Sequence, residues 1–414
     1  MAKLSSMYRE ITKDAFAPRI SLTMHLDGGD QTLHYEKVTW DIEGSEMGLR
    51  YGENPDQPAA LYRLANGNLR LGDVETVQPG MGLASEAELL QSGKHPGKIN
   101  ITDADAALGI LRYFGDRPAT VIIKHNNPCG VALGNDAAHS YTRAYNADRI
   151  AAFGGAVGIN CTIDAETARR IADAYTEVVV APDYTPEALD VFATRKNLRV
   201  MRVKAMDRLE AYEPLRVVDI KSLMDGGLVL QWSFQPKRLT AAELVPASTE
   251  RKGEVFTVQR APTDAEQRDM IFGWFVEAGV TSNSVLYVKD EATVAIGTGE
   301  QDRVGVAEIA RDKAYRKAPE RLAVEMHGTV YAELSELQRS AVDERVAEER
   351  AGLLGSCMVS DAFFPFRDGI DVGLREGVKA VLQPGGSLRD FESIEACNEH
   401  EATMCFTGQR SFRH

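Results

Sequence analysis

Asp164 to Pro182 reads DAETARRIADAYTEVVVAP, a helical period that runs into three valines and an alanine and stops at a proline. The polar half predicts a helix, and the apolar run from Val178 to Ala181 predicts a short strand buried on both faces. Working outward, DADAALGILRYF (103–114) is amphipathic and helix-like, TVIIKH (120–125) is rich in β-formers, and Pro-Cys-Gly at 128–130 reads as a break before a helix. The rhythm restarts after Gly226. Thr263 to Gly279 reads as a helix, SVLYV and ATVAIG as strands, VKAVLQPGGS as a strand entering a glycine-rich turn, and FESIEACNEHEATMCF as a helix and a final strand. Helices alternating with short apolar strands predict an α/β architecture with a largely parallel, doubly covered sheet. VIIKHNNPCG and SCMVSDAFFPFRDG, one in each half, suggest a coarse duplication, and ELQRSAVDERVAEER reads as a solvated surface helix.

The chain has 414 residues, enough for two or three folding units at roughly 100–200 residues each. Its first 45 or so residues read as a hairpin around Gly28 and Gly29, so the expected division is an N-terminal extension at 1–47, a first unit at 48–225 and a second at 226–414. With 47 Lys plus Arg against 61 Asp plus Glu, the net charge of −14 argues against nucleic-acid and anionic-membrane partners, which need a basic surface. No apolar run is long enough to cross a bilayer. Five cysteines without a CxxC pair argue against a disulfide framework and against thiolate zinc sites, and a reducing cytoplasm fits that usage.

Several segments carry chemistry. Lys124 and His125 close an apolar strand, the place where open α/β sheets put their ligands, and a histidine there is a candidate base beside a cation that can face developing negative charge. The plainer account of the pair is a capped turn and a solvated lysine. LRYGENPDQPAALYR (49–63) presents Arg50 and Tyr51 on a rigid turn suited to a phosphate-bearing ligand, or simply a polar connection. Asn283 opens a strand, where its amide could meet a substrate carbonyl or satisfy a turn. SDAFFPFRDG (360–369) clusters Phe363, Phe364 and Phe366 beside Arg367 and Asp368, as a wall for a flat heterocycle or as core. GQRSFRH (408–414) ends the chain, where frayed residues are the rule.

In order along the chain, LRYGENPDQPAALY, KHNNPCGVA, AYNADRIAAFGGAVGIN, VQRAPT, SNSVLYV, IGTGEQDRV, SDAFFPFRDGID, QPGGSLRD and GQRSFRH resemble the transformylase portion of the AICAR formyltransferase/IMP cyclohydrolase family. The resemblance covers residues from about Leu49 to the end. It implies duplicated cytidine-deaminase-like α/β/α subdomains without the zinc site, and a homodimer whose active sites draw on both subunits. It further implies formyl transfer from 10-formyltetrahydrofolate to the 5-amino group of AICAR, giving FAICAR and tetrahydrofolate.

Residue by residue, the resemblance makes His125 the base, Lys124 its helper at the transferring formyl group, and Asn283 the orienting amide. It assigns Arg50, Tyr51, Gly154, Glu177, Arg410 and Phe412 to the nucleotide, and Arg303, Phe363, Pro365, Phe366, Asp368 and Ser387 to the folate. It also suggests a monovalent cation, K+, near Thr281, Ser282 and Asp361. Three departures stand out. Only about 48 residues precede the first motif, so no cyclohydrolase activity is expected. Asp56 replaces the usual His of ENPHQ, and HPGKINITDADA (95–106) departs from the KELSYNN-like stretch. Two rival readings are a zinc-dependent deaminase-like hydrolase, which lacks HxE and CxxC, and a non-catalytic nucleotide or folate sensor.

Overall fold

The computed structural model describes residues 14–72 and 74–414. Residues 1–13 of the expected N-terminal extension lie outside the described residues. Two compact units emerge: the described residues up to 119 with 154–235, and residues 120–153 with 236–414. The second unit thus includes a segment from the first half of the sequence.

In the first unit, strands Ala156–Ile159, Val178–Ala181 and Arg199–Arg202 run parallel, and Glu88–Gln91 adds an antiparallel edge. The helix Ala165–Ala172 forms because Asp164 caps it by accepting the Thr167 N–H, while Thr167, Ala168, Ile171 and Ala172 turn inward. Val178, Val179 and Val180 are fully buried, worth about 1.5–3 kcal/mol each. Strands Arg19–Met24 and Gln31–Lys37 pair antiparallel around Gly28 and Gly29, and Tyr62–Asn66 adds a third strand from beyond residue 47.

In the second unit, Cys357–Ser360, Ala380–Gln383 and Thr403–Phe406 are again parallel, with helices Arg367–Arg375 and Asp390–Glu399 between them. Antiparallel pairings join Val285–Lys289 to Cys357–Ser360 and to Ala292–Gly297, and the latter to Asn127–Leu133. The sheets are therefore mixed, which corrects the expectation of a largely parallel arrangement: two-residue hairpins interrupt the crossovers. The order of elements repeats. Helix Lys98–Leu111, the hairpin Ala119–Lys124/Asn127–Leu133, helix Ala137–Ala147 and three parallel strands are matched by helix Asp264–Glu277, the hairpin Val285–Lys289/Ala292–Gly297, helix Arg303–His327 and three parallel strands. The α/β architecture is thus duplicated, but the matching segments differ from those expected: VIIKHNNPCG lies in the first hairpin, whose counterpart is the Val285–Lys289/Ala292–Gly297 hairpin, whereas SCMVSDAFFPFRDG runs from Cys357–Ser360 into helix Arg367–Arg375, the counterpart of Ala156–Ile159 and helix Ala165–Ala172.

The expected break at Pro128–Gly130 is instead strand, because the chain reverses earlier, at His125 and Asn126. Both have left-handed backbones, with φ of 54° and 60°, as a two-residue hairpin turn requires. Asp290 and Glu291 make the matching turn in the second repeat, at 54° and 57°, where Asp269 accepts both of their N–H groups. Helix Glu336–Glu348 buries only Val342 and is a surface helix, as its charges predict. Among the described residues no helix is long and apolar enough to cross a membrane.

Candidate active site

The strand Ala119–Lys124 is apolar and buried up to Ile123, so Lys124 and His125 emerge together at its end. His125 is exposed. Lys124 is half-buried, and its Nζ donates to the Phe153 carbonyl at 2.6 Å. The loop offering that carbonyl is held by Asp148, which accepts from the Ala151 N–H at 2.9 Å and pairs with Lys317 at 2.7 Å.

Asn127, next in the strand, accepts the Thr281 N–H at 2.9 Å, and its Nδ2 lies 3.4 Å from the His125 carbonyl. It fastens the His125 turn to the segment that carries Asn283. There, Asn283 Oδ1 accepts from Arg303 Nη2 at 2.8 Å. Arg303 Nη1 donates to the Ser284 carbonyl, Ser360 Oγ and Asp361 Oδ1, and Ser282 Oγ donates to Asp361 Oδ2 at 2.5 Å. Beneath them Glu277 is fully buried, and burial first, then the Asp361 charge, raises its carboxyl well above the ordinary range; Ser284 Oγ donates to it at 2.7 Å.

Lys124, His125 and Asn283 thus all belong to the second unit. Arg303, assigned to the folate by resemblance, is enclosed in this network rather than projecting from it. Both Asp361 carboxylate oxygens are engaged by protein donors, and the Arg303 charge sits against one of them. Each of these oxygens keeps a further lone pair beyond the donor it accepts, while the Arg303 charge beside one of them opposes a second cation there.

A cavity of about 430 Å³ in the same unit is lined by Phe363, Pro384, Gly385, Gly386, Gly408 and Arg410, a volume suited to a small ligand. Gly385 is required there: its φ is 74°, and a Cβ would sit 2.8 Å from the Phe406 ring. The cavity brings together Phe363 and Arg410, and the Arg410 guanidinium lies 4.3 Å from the centre of the Phe412 ring. Phe366 is exposed under Arg389, and Pro365 and Asp368 are exposed beside it; Phe364 is wholly buried and belongs to the core. Ser387 Oγ accepts the Arg389 N–H within the glycine-rich turn. The C-terminal residues are ordered. The Ser411 N–H donates to the Asp361 carbonyl, and Ser282 and Arg413 exchange backbone and hydroxyl bonds.

The first unit gathers Arg50, Tyr51, Gly154 and Glu177. Arg50 Nη2 donates to the Tyr51 hydroxyl at 2.8 Å, with its guanidinium 4.4 Å from the centre of that ring. Gly154, at φ 74°, donates its N–H to the Tyr175 carbonyl, and a Cβ there would meet the Tyr175 ring at 3.5 Å. Arg199 Nη1 lies 3.5 Å from Glu177 Oε2, and Asn100 Nδ2 lies 3.4 Å from the same oxygen. Burial lowers the Arg199 guanidinium; burial also lowers His95, aided by the Arg50 and Arg199 charges and opposed by its bond to the Gly48 carbonyl.

Sequence reasoning missed Arg199, Asn100, His95 and Asn127. Arg199 carried little readable signal, because its strand reads Arg-Val-Met-Arg and nothing local tells the buried Arg199 from the less buried Arg202 at its other end. Chemically, the first unit places the Arg50 guanidinium near the Glu177 carboxylate, which the wholly buried Arg199 pairs with from inside, and a guanidinium of this kind suits a phosphate. Burial pushes the Cys129 thiol up to about 12, and its Sγ donates to the Ile122 carbonyl, so this sulfur is held as a neutral thiol rather than the thiolate that zinc needs. Among the described residues no group of three or more His, Cys, Asp or Glu is arranged to hold a metal ion.

Comparison with known proteins agrees with the family resemblance. Residues 13–313 match the profile of the AICARFT/IMPCHase bienzyme family. The chain is 39% identical over 385 residues to the bifunctional purine biosynthesis protein PurH of Magnetococcus marinus, covering 92% of this chain and 61% of the relative. It is 39% identical to the PurH proteins of Xanthomonas campestris, over 89% of this chain and 58% of the relative, and of Paracoccus denitrificans, over 88% and 59%. The chain therefore spans about three-fifths of the length of these relatives. By the extent of the profile match and the ordered motifs, the chain belongs to the AICARFT/IMPCHase bienzyme family.

Proposed function

We propose that this chain is an AICAR formyltransferase. The observation that carries the reading is the fastening of His125 and Asn283 through Asn127, with Lys124 beside them, in a chain of this family. The 5-amino nitrogen of AICAR attacks the formyl carbon of 10-formyltetrahydrofolate, forming the new C–N bond and a tetrahedral centre. His125 takes the proton from the amine. The bond from the formyl carbon to N10 then breaks, and N10 receives a proton as tetrahydrofolate leaves. Lys124 is within reach of the reacting groups once its ammonium exchanges the Phe153 carbonyl for substrate.

Arg50, with Tyr51, holds the phosphate, and Gly154 and Glu177 meet the ribose. Phe363 and the glycine-rich turn at Ser387 take the flat pterin, with Pro365, Phe366 and Asp368 at its rim. Arg410 and Phe412 complete the nucleotide contacts. The enzyme works as a cytoplasmic homodimer with shared active sites.

The test is tetrahydrofolate formation by purified protein supplied with 10-formyltetrahydrofolate and AICAR, with product analysis for FAICAR and IMP. Turnover that is lost in His125→Ala supports the assignment. Binding of both ligands without any turnover by the wild-type protein would replace it with a sensor.

A further inference from the structure

We propose that Arg303 is a positioning residue, which fixes the Asn283 side chain so that its amide nitrogen is the donor for the oxygen of the transferring formyl group. The inference rests on the formyl-transfer reading above. A guanidinium has five N–H donors and no acceptor, so the atom of Asn283 that lies 2.8 Å from Arg303 Nη2 must be its oxygen. Rotating the amide by 180° would set donor against donor. The nitrogen is thereby left as the outward end, and among the described residues nothing accepts a hydrogen bond from it.

Arg303 cannot readily turn elsewhere. It is 8% exposed, begins the 25-residue helix Arg303–His327, and its Nη1 is enclosed by the Ser284 carbonyl at 3.0 Å, Ser360 Oγ at 3.1 Å and the fully buried Asp361. Ser282 and Ser284, the neighbours of Asn283, are anchored in the same network, Ser282 through Asp361 and the Arg413 backbone, Ser284 through Glu277. Asn283 is thus gripped on both sides and through its own oxygen.

As the amine adds, the formyl oxygen gains negative charge. A donor already aimed at it needs no reorganisation, and removing one such donor typically lowers turnover by about 10²–10³-fold. The same enclosure leaves Arg303 poorly suited to serve as the direct folate contact that resemblance assigns to it.

The experiment is steady-state kinetics in both substrates, with AICAR binding by calorimetry and thermal melting, on wild type, Asn283→Asp and Arg303→Lys. Asn283→Asp keeps an acceptor for Arg303 and leaves the buried Arg303–Asp361 pair intact, yet replaces the outward donor by an acceptor. The expected result is a folded protein that binds AICAR but has lost about 10²-fold or more in kcat. Arg303→Lys should lower kcat while the KM for the folate stays within about three-fold of wild type.

Wild-type-like kcat in Asn283→Asp overturns the inference. So does a raised folate KM with unchanged kcat in Arg303→Lys, which would make Arg303 a folate contact. Absence of turnover in the wild type defeats the formyl-transfer reading and this inference together. Turnover in the wild type with unaffected variants defeats this inference alone.

Discussion

Asn127 accepts the Thr281 N–H at 2.9 Å across 154 positions of the chain. One residue before Asn127 lies the His125–Asn126 turn, and two residues after Thr281 lies Asn283, so this single side chain ties the turn of the proposed base to the segment of the proposed orienting amide.

Asn127→Ala should therefore act on turnover more than on binding. It leaves the Thr281 N–H without its acceptor, a loss of about 1–3 kcal/mol in stability where the group stays dry. We expect kcat to fall roughly ten-fold, with the AICAR dissociation constant little changed. Parallel denaturation and kinetic assays check both; an unaltered kcat would show that the tether does not align the site.

His125→Gly should separate stability from activity. His125 holds φ at 54°, a left-handed conformation that costs most residues roughly 1–2 kcal/mol and glycine almost nothing. The variant should be as stable as wild type or more stable by up to about 1 kcal/mol, yet lose at least about 10²-fold in kcat. Urea denaturation alongside formyl transfer makes the comparison, and a variant that stays active removes His125 from the chemistry.

Arg50→Met probes the nucleotide end. A charge-assisted bond to phosphate is worth about 1.5–3 kcal/mol, so the KM for AICAR should rise roughly 10–10²-fold while saturated kcat changes little. The result is read by varying AICAR at fixed folate. If the KM does not move, the phosphate is held elsewhere.

Glu277→Gln tests the buried acid beneath the site. Because burial and the facing Asp361 charge raise the folded pKa, opposed by Arg303 and by the Ser284 bond, the native chain keeps a proton that the unfolded chain releases above about pH 4.5. Stability from this group is complete below that value and declines as pH rises towards the folded pKa. Gln keeps an acceptor for Ser284 Oγ and carries no charge, so the stability advantage of the variant over wild type should grow from pH 5 to pH 8. Denaturation curves across that range would contradict the assignment if the two proteins stayed parallel.

The periodic elements were legible in the sequence. Val178 to Ala181 was read as a strand with its observed limits, and Thr263 to Gly279 as a helix differs from Asp264–Glu277 by one or two residues at each end. The hairpin at His125 was not legible, because its turn uses His-Asn rather than the usual Asn-Gly, and Pro128 and Gly130 inside the following strand look like punctuation. The site was partly legible. Resemblance named Lys124, His125, Asn283 and Arg50 from their motifs, but Asn127 and Arg199 act through partners far away in the chain, and local patterns carry no trace of such contacts.

By itself the sequence determined the alternation of helices and strands, because hydrophobic periodicity is a local property that burial enforces residue by residue. It also determined the family, because an ordered set of short motifs survives without knowledge of their arrangement. Tertiary structure alone decided that residues 120–153 belong with 236–414, that Arg303 faces inward to Asp361 and Asn283, and that the final residues are ordered by Ser282 and Asp361. Those outcomes depend on which donors and acceptors meet when distant segments pack, and buried polar groups must find partners wherever the fold places them.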